Sequence, residues 1–485
     1  MGQTASAKLT QVDVGEFDLE RFQRVITAEQ YRRLIDAVAE TRQILGRRVI
    51  WNVNSTAKGG GVAEMLSSLI AYVRGAGLDA RWVVIPGSAE FFRVTKRIHN
   101  LLHGSPGDGG RLDDEARQIY EQVLRPSGEA LAAEVSPGDV VLLHDPQTAG
   151  LTEAVRKAGA FAVWRCHVGV DRPDATVRTA WRFLLPYLED ADGYVFSRPD
   201  FVWEGLDRSK VWIIPPSIDA FSPKNSELAA PQVDSILTAA GVLPEEAPAE
   251  PRFRRLNGSE ASITHRAVML EAKPAALDDR LVVQVSRWDR LKDPVGVIRG
   301  FADHVAPHTD AHLMLAGPSV EAVGDDPEGH EVLMESVHAW EKLAPPVQGR
   351  VHLASLPMVD GEENAVMVNA IQRRAAIIVQ KSLAEGFGLT VAEAMWKGRP
   401  VVASKVGGIK DQIDDGRTGL LIDDPRDLAE YGALVRTLLD DPERAEAIGA
   451  AARAKVRDHF LAPRHLIQYA ELVRHLVTQG RPGST

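Results

Sequence analysis

RVIWNVNSTAKGGGVAEMLSSLIAYVRGAGLDARWVVI, residues 48–85, runs through a short apolar segment, a glycine loop, a longer amphipathic segment and a second apolar segment. VIWNV and ARWVVI have the length and the β-branched and aromatic content of buried strands. VAEMLSSLIAYVRGAG carries apolar residues three and four apart, the spacing of one helix face. Strand, helix and strand in this order form a crossover unit, and crossover units build parallel sheets. Gly59, Gly60 and Gly61, between the first strand and the helix, let a ligand come close to the backbone. They have neither the spacing of the dinucleotide fingerprint nor the Gly-Lys-Ser/Thr ending of the phosphate loop, so hydride transfer and nucleotide hydrolysis lose support. A plain turn before a helix is the competing reading.

DVVLLH, AFAVWRC, GYVFS and KVWII extend the alternation to about residue 220, with AEFFRVTKRIHNLLHG among the helical stretches. LVVQVS, AHLMLAG, RVHLAS, AAIIVQ, PVVAS and TGLLI then form a second series of the same kind, and the chain is helical after Asp424. The expected fold class is α/β, with two facing Rossmann-like doubly wound domains at residues 1–222 and 280–460. Residues 223–279 read as a linker with an exposed, partly mobile insertion, and 461–485 as a C-terminal helix packing back on the N-terminal domain. Ligands of such sheets bind beyond the carboxyl ends of the strands, so two facing domains predict a deep cleft and chemistry directly after strands.

A chain of 485 residues exceeds one ordinary core, in keeping with two large domains. A formal net charge of −11 argues against a nucleic-acid partner, which needs a basic face to displace counterions. Cys166 is the single cysteine and no Cys/His cluster has zinc spacing, so neither disulfide nor zinc chemistry is expected. The opening MGQTASAKLTQVDVGEFDLE lacks the apolar core of a signal peptide, and no run approaches the roughly 20 apolar residues of a spanning helix; the expected location is cytoplasmic. Gly2 and Ser6 match the myristoylation pattern, which is short and usually accidental.

In SLAEGFGLTVAEAMWKGRPVVASKVGG, residues 382–408, Glu385 and Glu393 are separated by seven residues around the turn Gly386-Phe387-Gly388. The glycines admit a ligand to the backbone, and a helix beginning near Leu389 points its amides at that ligand, which suits a diphosphate. Glu385 is placed to accept hydrogen bonds from donor-sugar hydroxyls, and Glu393, about one turn in, to hold a ribose diol. Taken singly, Glu385 reads equally well as a cap and Glu393 as a solvated helix position. In VVQVSRWDRLKDP, Arg287 and Lys292 follow directly on a strand. A departing nucleoside diphosphate gains charge in the transition state, and cations so placed stabilise it; a solvated loop is the alternative for the pair alone.

These segments resemble the retaining glycosyltransferases with two facing Rossmann-like domains, a family that includes sucrose and trehalose synthases and bacterial glycogen synthase. The resemblance implies that Glu385, Gly386, Phe387, Gly388, Leu389 and Glu393, with Arg287, Lys292, Gly60 and Gly61, hold the donor. Asp145, in LLHDPQTAGL, and His167, in WRCHVG, each lie just after an expected strand. The resemblance makes them contacts to the transferred and accepting sugars, with His167 near the donor's 6-hydroxyl and with Asn54, Ser55 and Gln147 beside Asp145 on the acceptor. Cys166 neighbours His167 but points to the opposite face of the strand, so it reads as packing. Arg93, Lys96 and Arg97 could dock a helix on an anionic membrane, but the acidic chain and the short cluster favour a helix lining the cleft.

With NSTAKGGGVAEMLSSL, FFRVTKRIHNLLHG, LHDPQTAG and VWRCHVG added, the resemblance narrows to the trehalose glycosyltransferring synthases and the related retaining trehalose phosphorylases. It covers most of residues 30–475 and excludes the insertion around 245–275. It implies transfer of glucose from UDP-, ADP- or GDP-glucose to free glucose, giving α,α-trehalose with retained configuration. Phosphorolysis of trehalose, and transfer to another sugar or to a lipid, are the alternatives. No Asp-x-Asp motif follows a strand, so no cofactor or metal is expected to be obligatory and Mg²⁺ enters only as a stimulant. The implied partners are small-molecule sugars and a second copy of the chain.

Overall fold

The computed structural model describes residues 9–57, 60–244, 251–320 and 327–479. They fall into two compact units, one running to Ser217 and resuming at Ala462, the other spanning Ile218–Leu461. Gly2, Ser6, Gly59, residues 245–250 of the insertion and the Gly/Pro/Ser tail lie outside the described residues.

The first unit holds one sheet of β1 (Thr10–Gln11), β2 (Ile50–Asn54), β3 (Ala80–Val84), β4 (Val140–His144), β5 (Phe161–Cys166), β6 (Gly193–Phe196) and β7 (Val211–Ile213). The strand order is β1-β3-β2-β4-β5-β6-β7, parallel throughout except for β1, which runs antiparallel to β3 at the edge. The inner strands read as apolar runs because both faces are covered. Trp51, Val53, Val141, Leu143 and Trp164 pack with the helices Ala89–Leu102, Asp114–Glu134 and Ala175–Leu188. Ile50, Val140, Leu142 and Val163 pack with Gly60–Gly75 and Ala462–Gln479 on the other side. His465 Nδ1 lies 2.8 Å from Ser217 Oγ, and Arg464 donates to the carbonyls of Pro215 and Pro216, which fixes the C-terminal helix in this unit.

The second unit contains β8 (Arg252–Arg254), β9 (Glu260–Ser262), β10 (Val268–Leu270), β11 (Leu281–Val285), β12 (His312–Pro318), β13 (Val351–Leu356), β14 (Ile377–Gln380), β15 (Val401–Ser404) and β16 (Leu420–Ile422). β8 and β9 form a separate hairpin, and the main sheet has the order β10-β13-β12-β11-β14-β15-β16, parallel except for β10. Without their antiparallel edges, the sheets have the chain orders 2-1-3-4-5-6 and 3-2-1-4-5-6. The order reverses between β2 and β4 in the first and between β11 and β14 in the second, the points where open parallel sheets bind ligands.

Of residues 223–279, expected as an exposed linker with an insertion, the described ones lie within the second unit and carry a helix and three short strands. Helix Ala230–Ala239 packs on helix Gly361–Arg374, and β10 extends the sheet. The hairpin is tied to the start of Gly361–Arg374: Arg255 pairs with the capping Asp360, and the Leu256 N–H donates to Glu362 Oε2 at 2.9 Å. The His265 N–H and Nδ1 each lie 2.7 Å from the Glu363 carboxylate. Strands this short and polar carry no apolar run, and their pairing comes from the partner.

Arg97 of the basic helix is committed to Asp108, at 2.8 and 2.9 Å, and to the Arg111 carbonyl, which takes one cation away from the membrane-docking alternative. Among the described residues no helix is long and apolar enough to cross a membrane.

Candidate active site

The loops after β11 and β14 are laced together at the switch point of the second sheet. Lys292 Nζ lies 2.5 Å from Glu385 Oε2, and Ser382 Oγ donates to the same oxygen at 3.3 Å. Lys381, fully buried directly after β14, pairs in the reverse direction with Asp293 and donates to the Pro425 carbonyl. Gln284 donates to the Lys292 carbonyl at 3.0 Å and accepts the Lys381 N–H, while the Leu383 N–H reaches the Leu291 carbonyl at 2.7 Å. Two crossed ion pairs therefore hold segments about ninety residues apart in one register. Lys381 and Asp293 escaped sequence reading, although Asp-Pro at 293–294 is a helix-start signal and Asp293 does cap Pro294–His304.

Arg287 is about half exposed and sits beside Asp289 at 3.1 Å. Glu393 is 4% exposed, not the solvated helix position of the competing reading; Lys224 Nζ lies 4.0 Å from it. Burial pushes the neighbouring Lys397 ammonium down to about 7, and it donates to the Glu393 carbonyl and to Asn225 Oδ1. The structure thus brings Lys292, Glu385 and the Gly386–Gly388 turn together, and gives Arg287 and Glu393 other neighbours.

Gly388, at φ +84°, precedes helix Leu389–Trp396 without a side-chain cap; the Val391 N–H is taken by the Gly388 carbonyl at 3.0 Å, which leaves the Leu389 and Thr390 amides at the open end of the helix. Phe387 is buried against Phe460. Gly407 and Gly408 floor this turn: a Cβ on Gly407 would stand 1.7 Å from the Glu385 carbonyl oxygen, and the Gly408 N–H donates to the Gly386 carbonyl at 3.0 Å. Two consecutive glycines just after PVVAS were the available signal. Gly407→Ala must displace Glu385, and we expect it to raise the donor KM by roughly tenfold or more with a lowered melting temperature. Initial rates over a donor series check this, and an unchanged KM removes the glycine floor from the site.

In the first unit, Asp145 follows β4 with φ 63° and ψ 179°, a region held almost only by glycine. Its backbone is pinned: the N–H donates to the Arg165 carbonyl at 2.8 Å and the carbonyl accepts from Trp164 Nε1 at 3.0 Å. Its Oδ1 accepts the His167 N–H at 2.8 Å. Burial pushes the Asp145 carboxyl up to about 6, opposed by the His167 amide and the Arg165 cation. His167 Nε2 lies 3.3 Å from His144 Nδ1, and His144 Nε2 lies 3.1 Å from Asn52 Oδ1. Burial and the Arg165 charge push both imidazoles down, His144 to about 3, so each is neutral at pH 7 and offers one donor and one acceptor.

Arg165 pairs with His144 in the β4–β5 register, is wholly buried, and has no hydrogen-bond partner for Nε or Nη2 among the described residues. His144, Asn52 and Arg165 were missed, yet an arginine inside the buried run AFAVWRC is itself a departure from core composition. Asn54 is buried and its Oδ1 accepts from Trp82 Nε1 at 2.9 Å, so that oxygen serves the sheet. Ser55 and Gln147 are partly exposed beside the ends of β2 and β4, and Gly60 and Gly61 open helix Gly60–Gly75. Cys166 is buried with its thiol on the Val168 carbonyl, and burial pushes the thiol up, consistent with packing.

Two doubly wound sheets in one chain, with polar and charged residues gathered at both switch points, define a glycosyltransferase of the two-Rossmann-domain, or GT-B, class. The family model described as glycosyl transferases group 1 matches residues 268–455, and that described as trehalose synthase, N-terminal domain, matches residues 52–203. The α,α-trehalose-phosphate synthase (UDP-forming) of Burkholderia xenovorans, solved in complex with glucose-6-phosphate, shares the fold with a TM-score of 0.64 at 15% identity, over 89% of this chain and 100% of that one. The trehalose synthase of Pyrococcus horikoshii is 36% identical over 462 residues, 95% of this chain and 97% of the relative. The chain belongs to the trehalose synthase family. The trehalose phosphorylase of Pleurotus sajor-caju is 27% identical over 435 residues, 83% of this chain and 54% of that protein.

Proposed function

We propose that this enzyme transfers glucose from a nucleoside-diphosphate glucose to the anomeric hydroxyl of free glucose, with retained configuration, to form α,α-trehalose. The observation that carries the reading is the Lys292–Glu385 pair beside the open amides at Leu389. It offers a cation and helix amides to a diphosphate, and a carboxylate to the hydroxyls of the attached sugar.

The bond from the donor anomeric carbon to the diphosphate oxygen breaks as the acceptor oxygen bonds on the same face. The acceptor's proton passes to the departing phosphate oxygen. Lys292, Arg287 and the amides from Gly386 to Leu389 stabilise the charge gathering on that group. Asp145 and neutral His167 orient the sugar hydroxyls, and Glu393 takes the ribose. Gly60 and Gly61 leave room for the donor, and Ser55 and Gln147 contact the acceptor. No metal enters this scheme; Mg²⁺ is expected at most to stimulate, and the working form is a homodimer on sugar substrates.

If Asp145 acts as a carboxylate, kcat/KM falls tenfold per pH unit below about 6, the value to which burial raises it. A pH–rate profile checks this, and full activity down to pH 4.5 removes the role. The phosphorylase relatives support a second reading, in which inorganic phosphate takes the place of the nucleotide. NMR analysis of products from glucose with UDP-, ADP- or GDP-glucose, and from trehalose with phosphate, separates the two. Trehalose from a nucleotide donor supports the synthase, phosphorolysis alone the phosphorylase, and turnover in neither set overturns both.

A further inference from the structure

We propose that the second unit carries a separate binding site for a phosphoryl group, at the opposite end of its sheet from Lys292 and Glu385. Arg373 and Arg374 end helix Gly361–Arg374 just before β14, and Arg399 lies in the turn just before β15. These are the amino ends of the strands, whereas Glu385 and Lys292 follow the carboxyl ends of β14 and β11. Arg373, Arg374 and Arg399 line a cavity of about 280 Å³ whose other wall, with Ala230, Val233 and Asp234, belongs to helix Ala230–Ala239. In a chain of net charge −11, three arginines on one cavity, with Asp234 the one carboxylate lining it among the described residues, is a local inversion of sign.

The hydrogen bonds show which donors remain. Arg373 is taken up by Glu227 at 3.0 Å, by Asn369 Oδ1 and by the Ser226 carbonyl. Glu227 is shared in turn with Arg453. Arg374 spends Nη2 on the carbonyls of Leu277 and Asp279, and Arg399 spends Nη1 on the Ala375 carbonyl at 3.1 Å. Among the described residues neither Arg374 nor Arg399 has a carboxylate partner, and the buried Arg399 Nε has no acceptor. Burial, more than charge, pushes Arg373 and Arg399 below the usual arginine range; Arg453 adds to it at Arg373 against the opposing Glu227, and Arg373 and Arg374 add to it at Arg399. A phosphoryl dianion supplies several acceptors and two charges in the geometry that guanidinium forks match. The cavity has room for more than bare phosphate, so a phosphorylated sugar and inorganic phosphate are two sources of the same chemistry.

Calorimetric titration of the full chain with inorganic phosphate, and separately with glucose 6-phosphate, tests the site. The Arg287→Ala/Lys292→Ala background removes the catalytic cations from the comparison. Saturable binding should persist in that background, weaken by tenfold or more in Arg399→Gln, recover partly in Arg399→Lys, and tighten severalfold in Asp234→Asn. The tighter of the two probes names the source. Binding indifferent to Arg399→Gln in protein that melts normally overturns the proposal, as does binding lost in the Arg287→Ala/Lys292→Ala background or absent with both probes. Should Arg399→Gln not fold, the sign of the Asp234→Asn change decides, and no tightening counts against the site.

Discussion

Lys292→Ala and Arg287→Ala should each lower turnover by on the order of a hundredfold or more, a loss of about 2.7 kcal/mol of transition-state stabilisation. The two variants should differ in stability. Lys292 is 17% and Glu385 11% exposed, so removing the ammonium leaves a largely enclosed carboxylate with Ser382 as its described remaining donor. Uncompensated buried charge is destabilising, and Lys292→Ala should melt several degrees below the parent. Arg287, about half exposed beside Asp289, loses little by truncation and should melt as the parent does. If both cations act on the leaving diphosphate, kcat and kcat/KM fall together in each variant despite this difference; a rise in KM alone would mean uniform donor binding. Parent-like turnover in either folded variant removes that residue from the chemistry.

The same pair shows what can be read from sequence. The strands of both sheets were legible because burial on both faces writes them as uninterrupted apolar runs, from VIWNV at β2 to TGLLI at β16. β1, β8 and β9 were not, since two or three mostly polar residues have no period, and β10, although apolar as Val-Met-Leu, is too short at three residues to stand out; the pairing of all four is dictated by the partner strand. Lys292 and Glu385 were legible because each follows a strand, where open sheets place their chemistry. Lys381 and Asp293 were not, because they stabilise the site through a contact 88 residues long that no local pattern encodes. His144 was read as the end of an apolar strand, and its position on the side-chain face shared with Arg165 emerges only from the register. Glu393 illustrates a third case: it lies in helix Leu389–Trp396 yet is buried, with Lys224, from residues that read as linker, 4.0 Å away.

Asp145→Asn should lose activity by on the order of a hundred- to a thousandfold and yet stabilise the first unit. The amide keeps an oxygen for the His167 N–H, at 2.8 Å from Oδ1 in the parent. It removes the charge that makes hydrogen bonds from sugar hydroxyls worth roughly 1.5–3 kcal/mol each. The stability gain follows from the sign of the titration. Burial raises the carboxyl from its ordinary 3.8 to about 6, so the stability tied to its protonated form is complete below pH 4 and is lost as pH rises through 6. At pH 8 the parent therefore carries an unfavourable buried charge that the amide lacks. Since the residue keeps some exposed surface, the difference is roughly 1–2 kcal/mol, a few degrees in a unit of this size. Asp145→Gly should gain more, because it also releases the backbone held at φ 63° and ψ 179°, a strain of roughly 1–3 kcal/mol that outweighs the loss, about 1 kcal/mol, of the acceptor for the His167 N–H. Calorimetric melting at pH 5 and pH 8 checks both variants: the advantage of asparagine must grow with pH, while the extra advantage of glycine must not. A Asp145→Asn protein no more stable than the parent at pH 8 would mean that the carboxylate is well solvated, and the acid limb placed near pH 6 would then need another group. If both expectations hold, strain and a buried charge meet in one residue at the switch point of the first sheet, and the fold tolerates both there because that carboxylate is needed for sugar transfer.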